Sequence, residues 1–226
     1  MRIRRGIARL GWKISPWTHR STVIPTDGVG VLIGAPHTSN WDFILMLGIA
    51  WDLGLKFKYL GKHTLFKPPF GFVMRWLGGI PVDRSNPAGI VTDIVERVRS
   101  GQGFYLVVTP EGTRSSGRYW KSGFHRIAVE AGLPITLGYV DRPSRTCGLG
   151  ETLRLTADVS ADMDRIRAFY ADKSGLRPEL RWKRQVKPGA RRGASVEIRW
   201  GAADGDGFEN RSGADLRSVS TGSAED

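Results

Sequence analysis

Phe104 to Thr109 is a run of bulky and β-branched residues, bounded by Gly103 before it and Pro110 after it. A strand of this kind has no face to offer to water, so it must be covered on both sides, as a central strand of a parallel sheet is. Val29 to Ala35 and Leu133 to Val140 have similar character, and shorter strands are expected through Phe57 and Tyr59 and over Ile80 to Val82. Helical spacing fills the intervals: Asn40 to Gly54, a proline-started segment with Phe70, Val73, Met74 and Leu77 that Gly78 and Gly79 close, Ile90 to Val98, Gly123 to Ala131, and Asp162 to Tyr170 with Ile166 and Phe169 inward. This alternation predicts an α/β fold, a single layered domain with a mostly parallel central sheet flanked by helices. A chain of 226 residues suits one such domain plus tails, and no internal repeat is visible.

Composition narrows the function classes. The chain carries 34 Lys and Arg against 22 Asp and Glu, a net charge of +12, which favours a polyanionic partner: nucleic acid, anionic lipid or a phosphorylated substrate. A single cysteine, Cys147, excludes an internal disulfide framework and is read as a packing residue. No apolar run approaches the roughly 18 residues of a membrane span, since Phe43 to Leu55 is short and broken by Asp52. Residues 1–17 lack the apolar stretch and cleavage site of a secretory signal, so a cytoplasmic location is expected. They form instead a basic amphipathic segment: Ile3, Ile7, Leu10 and Ile14 fall on one helical stripe, Arg2, Arg9 and Lys13 off it, and Trp12 and Trp17 add interfacial aromatics. Such a helix can lie in the headgroup layer of an anionic membrane or pack on its own domain. The folded domain is expected over residues 18–182. Residues 183–226 shift to Gly, Ser, Ala and nearly balanced charge, which predicts a disordered tail and leaves the positive charge on the domain.

Three polar clusters fall where expected strands end: His37 to Asp42, Asp83 with Arg84, and Glu111 to Arg114. Ligands of open α/β sheets bind beyond the carboxyl ends of the strands, so the three point to one site. In His37-Thr-Ser-Asn-Trp-Asp42, Ser39 or Asn40 suits the cap of the following helix and Asp42 its first turn. A histidine in the preceding loop can fold back on that turn and meet the aspartate. The carboxylate would then fix the imidazole tautomer, leaving the other nitrogen to take a proton from a hydroxyl. The competing reading is a capping-type Asp beside a surface histidine. In Glu111-Gly112-Thr113-Arg114, the glycine permits close backbone approach and Arg114 offers a planar fork for phosphate; the plain alternative is an ordinary turn.

Taken in order, these blocks resemble the lysophospholipid and glycerol-phosphate acyltransferase family, whose first motif is a His and an Asp separated by four residues. His37 and Asp42 match that motif, Gly79 to Arg84 is similar to the second block, Glu111 to Arg114 to the third, and Gly132-Leu133-Pro134-Ile135 to the fourth. The likeness covers about Val29 to Val140 and takes in Gly61-Lys62 and Lys121-Ser122-Gly123. Pro36 departs from the Asn that many members carry before the histidine, and Thr136-Leu137-Gly138 departs from the usual apolar run ending in proline. The resemblance implies a glycerol-phosphate-acyltransferase-like fold and an O-acyltransferase acting on a lysophospholipid, foremost 1-acylglycerol-3-phosphate, with acyl-CoA or acyl carrier protein as donor. It implies that His37 deprotonates the acceptor hydroxyl, that Asp42 orients His37, and that Arg84, Glu111, Gly112, Thr113 and Arg114 hold the acceptor. No metal or other cofactor is expected. The protein is expected peripherally on the cytoplasmic face of the cell membrane, against an anionic surface.

Three rival readings are weighed against this one. A basic nucleic-acid-binding domain lacks support, because no zinc-ligand spacing or helix-turn-helix pattern is present and the eight Trp are scattered; nucleic acid is not an expected partner. An acyl thioesterase or lipid hydrolase with the same His-Asp pair remains open, although no G-x-S-x-G elbow exists. A metal site of His37, His63, His125 and Asp42 matches no zinc spacing, and a surface role suffices for His125.

Overall fold

Strands β2 (Gly30–Ala35) and β5 (Tyr105–Val108) lie side by side and parallel, with Ile33 opposite Val108. The protein is described by a computed structural model over residues 2–83, 87–111, 120, 123–156 and 158–177, without side chains for 87 and 88. Around this pair, β3 (Phe57–Lys62), β4 (Gly79–Val82) and β6 (Ile135–Asp141) are also parallel. Strand β7 (Thr146–Leu153) runs antiparallel to β6, and the two-residue β1 (Thr18–His19) pairs with β7. The order across the seven-stranded sheet is β1-β7-β6-β2-β5-β3-β4. The mostly parallel α/β layer expected from the alternating pattern is therefore present.

Alternate residues of β2 feed opposite faces, as the two-residue strand period requires. Val31 and Ile33 join the larger core with Val91, Ile94, Ile127 and Ile166, under α4 (Pro87–Arg99), α5 (Gly123–Glu130) and α6 (Val159–Phe169). Leu32 faces the other way, onto Leu47 and Ala50 of α2 (Trp41–Leu53). The opposite flank of α2 packs Leu45 and Ile49 on Val140, Cys147 and Leu149. A helix apolar nearly all round is thus buried along two flanks, each fully buried Leu or Ile contributing roughly 1.5–3 kcal/mol. Trp41 and Ile44, at its start, are its most exposed apolar side chains. A single turn of 3-10 helix (His63–Phe66) precedes α3 (Gly71–Trp76), and Gly78 takes the left-handed conformation that ends it. In α6, Ile166 is fully buried as expected. Phe169 is only partly covered, and the neighbouring Tyr170 goes deepest, donating its hydroxyl to the carbonyls of Ile33 and Gly138.

Helix α1 (Arg2–Ile14) uses two faces at once. Arg4, Ala8 and Trp12 turn toward α2. The guanidinium of Arg4 lies 4.4 Å from the Trp76 ring centre, and a Cβ on Gly48 would come 2.7 Å from the Trp12 indole. His19 holds the junction: its Nδ1 is 2.8 Å from Asp52, its Nε2 2.8 Å from the Ser21 hydroxyl, and its ring stacks on Trp12. Ile3, Ile7, Leu10 and Ile14 meanwhile stay exposed, Ile3 and Ile14 to 80%. The two uses of this segment left open by its sequence are thus compatible, because the docking stripe and the apolar stripe are different sides of one helix. Among the described residues, no helix is long and apolar enough to cross a membrane.

Cys147 packs as a core residue, and burial pushes its thiol up to about 12. A value raised above the ordinary 9.0 means that the neutral thiol's packing is fully in force below pH 9 and is lost as pH rises toward 12. The native protein is expected to resist a thiol reagent such as dithiobisnitrobenzoate at pH 8 and to titrate one equivalent after denaturation; rapid labelling of folded protein would contradict this burial.

Candidate active site

Because β2 and β5 are parallel neighbours, the loops leaving their carboxyl ends meet above the sheet. His37 follows β2 by two residues and Glu111 follows β5 by three. The Nδ1 of His37 lies 3.2 Å from Oδ2 of Asp42, in the first turn of α2. That same oxygen accepts the backbone N–H groups of Thr38 and Ser39, each at 2.7 Å. Asp42 is 8% exposed, and its other carboxylate oxygen, Oδ1, is buried with no hydrogen-bond partner among the described residues. The helix start explains the arrangement: Ser39 Oγ accepts the Trp41 N–H at 3.2 Å, whereas Asn40, the N-cap residue, makes no side-chain cap bond. Asp42 thus reaches back over its own first turn, where the helix dipole favours negative charge. The capping role and the His-Asp pairing, weighed as rivals in the sequence, coexist in one carboxylate.

A proton held on Nδ1 by the nearby Asp42 carboxylate would leave Nε2 as the imidazole's acceptor, suited to removing a proton from a hydroxyl. Glu111 supports the dyad from below. It is 4% exposed, and its Oε2 accepts the backbone N–H of His37 at 2.5 Å. Its carboxylate therefore braces the histidine's main chain, a use that residue spacing alone does not reveal. The amides of His37, Thr38, Ser39 and Trp41 all donate within the protein, so none of these four is free to stabilise an oxyanion.

Of the remaining residues expected in the site, Arg84, Gly112, Thr113 and Arg114 lie outside the described residues, as do Lys121, Ser122 and the 183–226 tail. Asp83 directly follows β4 at the same carboxyl end of the sheet, three strands from β2, or about 14 Å at the usual strand spacing. Gly132 to Ile135 is not brought to the dyad. It turns from α5 into the amino end of β6, where the Pro134 carbonyl accepts the Val31 N–H.

The profile of the acyltransferase family matches residues 18–137. The chain belongs to the acyltransferase family. Over 120 residues it is 32% identical to the 1-acyl-sn-glycerol-3-phosphate acyltransferase epsilon of Mus musculus, covering 50% of this chain and 33% of the mouse protein. It is 28% identical over 110 residues to the 1-acyl-sn-glycerol-3-phosphate acyltransferase of Pseudomonas aeruginosa, covering 46% of this chain and 41% of that one. The chain thus spans about a third to two fifths of the length of these curated relatives. Its fold is similar to the crystal structure of the 1-acyl-sn-glycerophosphate (LPA) acyltransferase PlsC from Thermotoga maritima, with a TM-score of 0.55 at 16% identity over 74% of this chain and 75% of that one.

In this family member, the matched span omits a support that residue patterns also do not reveal. The segment Ser174 to Arg177 pairs at the end of β6, next to β2: the Gly175 N–H donates to Val140, and Asp141 accepts the N–H and hydroxyl of Ser174. Burial alone would raise the Asp141 carboxyl, but hydrogen bonds from Ser144 and Ser174 outweigh it and hold the group below its ordinary value. This tie is complete at neutral pH and is lost only as pH falls through that lowered value. From there the segment touches the loop that carries His37, the Arg177 N–H donating to Thr38 Oγ1 at 2.9 Å. A Ser-Gly pair shortly after α6 is the sequence signal of it. Gly175 has φ +73, and a Cβ there would lie 3.1 Å from both Pro36 Cβ and Thr38 Oγ1. Gly175→Ala, which removes no functional group, is expected to lower kcat by about tenfold by shifting the loop, roughly the cost of misplacing reacting groups by a fraction of an ångström; unchanged kcat in steady-state assays would count against this support.

His125 belongs elsewhere. Far from serving at the surface, it is buried and 3.0 Å from the buried Asp162, whose carboxylate also accepts the Thr156 N–H, joining α5 to the start of α6.

Proposed function

We propose that this chain transfers a fatty acyl group from a thioester, acyl-CoA or acyl carrier protein, to the free hydroxyl of 1-acylglycerol-3-phosphate. The observation that carries the reading is the His37 Nδ1 to Asp42 Oδ2 contact at 3.2 Å, with its carboxylate fixed by two backbone N–H groups. His37 Nε2 takes the hydroxyl proton as the acceptor oxygen bonds to the thioester carbonyl carbon. The tetrahedral intermediate then collapses, the C–S bond breaks, and the leaving thiolate takes the proton back from the imidazolium. Asp42 stabilises that imidazolium, and Glu111 holds the histidine's backbone in place. Arg84, Gly112, Thr113 and Arg114 are assigned to the acceptor's phosphate and glycerol on the resemblance of their blocks. The amides of His37, Thr38, Ser39 and Trp41 are occupied, so the oxyanion takes its donors from other groups. The assignment of acceptor also draws on the names of the relatives.

The reading includes a membrane surface as the place of reaction, since the acceptor is an amphiphile. The exposed stripe of α1 and the exposed Phe70, Phe72 and Trp76 around α3 are the apolar surfaces offered to it. An anionic leaflet at the cytoplasmic face fits the chain's charge of +12.

The test is thiol release from palmitoyl-CoA in mixed micelles with and without 1-acylglycerol-3-phosphate, with products identified by mass spectrometry. Acceptor-dependent release with formation of diacylglycerol phosphate is expected. Release indifferent to acceptor would replace this reading with a thioesterase. Silence from folded protein with both acyl-CoA and acyl carrier protein would overturn it.

A further inference from the structure

A cavity of about 350 Å³ opens at the end of the sheet opposite the His-Asp dyad, where β3 and β5 begin. Arg4 of α1, Lys56 and Lys58 at the start of β3, and Arg75 of α3 line it, and no Asp or Glu does. Lys56 and Lys58 are two apart on an extended chain, so both project from the side opposite the buried Phe57. Among the described residues, none of the four cations has a carboxylate within ion-pair distance. Among the described residues, Arg4 and Arg75 donate hydrogen bonds to the carbonyls of Trp76 and Phe66 and lie over the rings of the same two residues, contacts that leave their charge unneutralised. Four like charges around one cavity repel one another, and an anion at its centre removes that cost. Trp51 and Trp76 complete the wall.

We infer that this cavity binds the phosphate of an anionic phospholipid standing in the bilayer, at a headgroup site separate from the acceptor site. The rim argues for a lipid rather than a soluble anion. Trp76 is exposed at the mouth, Phe72 one turn earlier on α3 is 74% exposed, and Ile3 and Ile7 flank Arg4 on α1. A phosphate held by the cations would thus sit beside apolar side chains able to meet its acyl chains. Gly103 and Glu111 bracket β5, so the cavity and the dyad lie roughly 20 Å apart along the strand. One molecule's phosphate at the cavity is therefore not the phosphate of an acceptor reacting at His37. The inference rests on the membrane reading given under the proposed function and adds a defined contact to it.

The experiment is co-sedimentation with phosphatidylcholine vesicles containing one-fifth phosphatidylglycerol at physiological salt. It compares the full chain, Lys56→Gln/Lys58→Gln, and the charge-matched Arg154→Gln/Arg165→Gln on the far side of the sheet. The cavity variant is expected to partition at least tenfold more weakly and the far pair within twofold of the parent, with acyl transfer to acceptor in detergent micelles unchanged in both. Equal losses in the two variants would mean diffuse attraction and overturn the site, and lost micellar activity in the cavity variant would place the cavity in the substrate path and overturn it as well. Inorganic phosphate quenching tryptophan emission at micromolar concentration would show a soluble-anion site instead. If the parent itself fails to partition, the membrane reading falls and the headgroup site with it; if all three proteins partition alike, only the headgroup site falls.

Discussion

His37→Ala is expected to lower acceptor-dependent acyl transfer by about 10³-fold, within the usual range for losing a general base. The fold should be untouched, for a reason visible in the site. What Glu111 holds is the backbone N–H of residue 37, which alanine keeps. The Thr38 and Ser39 amides bound to Asp42 likewise remain. Melting temperature within about 2 °C of the parent, beside that loss in turnover measured by radiolabelled acyl transfer, would separate chemistry from folding. Retention of more than a tenth of the activity would remove His37 from the reaction.

Asp42→Asn should cost about 10²- to 10⁴-fold in kcat, as removing the charge behind a catalytic histidine does elsewhere. Asparagine has the same shape, but only its oxygen can accept the Thr38 and Ser39 N–H groups. Its NH₂ must then take the place of the buried Oδ1, which has no partner among the described residues. His37 keeps a neutral acceptor and loses the charge that stabilises its imidazolium. Asp42→Ala differs in kind: it strips an acceptor from buried amides, at about 1–3 kcal/mol for each group left unsatisfied, and should lower the melting temperature as well. Because the pair acts as a unit, His37→Ala/Asp42→Asn should be no slower than His37→Ala alone. A double variant that multiplies the two losses would show the residues acting independently.

What residue patterns revealed and what they hid follow from the range of the forces involved. Runs such as Phe104 to Thr109 carry their own signature, because burial on both faces permits nothing else, and β2, β5 and β6 lie within a residue or two of expectation. Strand β7 went unseen because Gly148 and Gly150 dilute its apolar pattern. The glycines are there for close approach: a Cβ on Gly148 would strike the Arg20 carbonyl, and one on Gly150 the Phe169 ring. That requirement is tertiary and leaves no local trace. The two-residue β1 exists only through its pairing with β7, so it was invisible for the same reason. In the site, the spacing from His37 to Asp42 was legible because one loop and one helical turn bring the two together. The brace from Glu111 to the His37 amide was not, since it depends on which strands are neighbours. That α1 could pack on its own domain was open from the sequence, but which residues do so was not: Arg4 meets Trp76 and Arg9 meets Asp52, contacts between segments far apart in the chain.

The contact between Arg177 and Thr38 spans 139 positions of the chain. During synthesis, His37 to Asp42 and Glu111 to Arg114 leave the ribosome before the segment that leans on the His37 loop. A nascent chain paused after β6 would hold the histidine, the aspartate and the parallel strands beneath them, yet lack the outer wall of their loop. The loop that carries His37 is therefore left without this support until residues 174–177 have been made and laid beside β6.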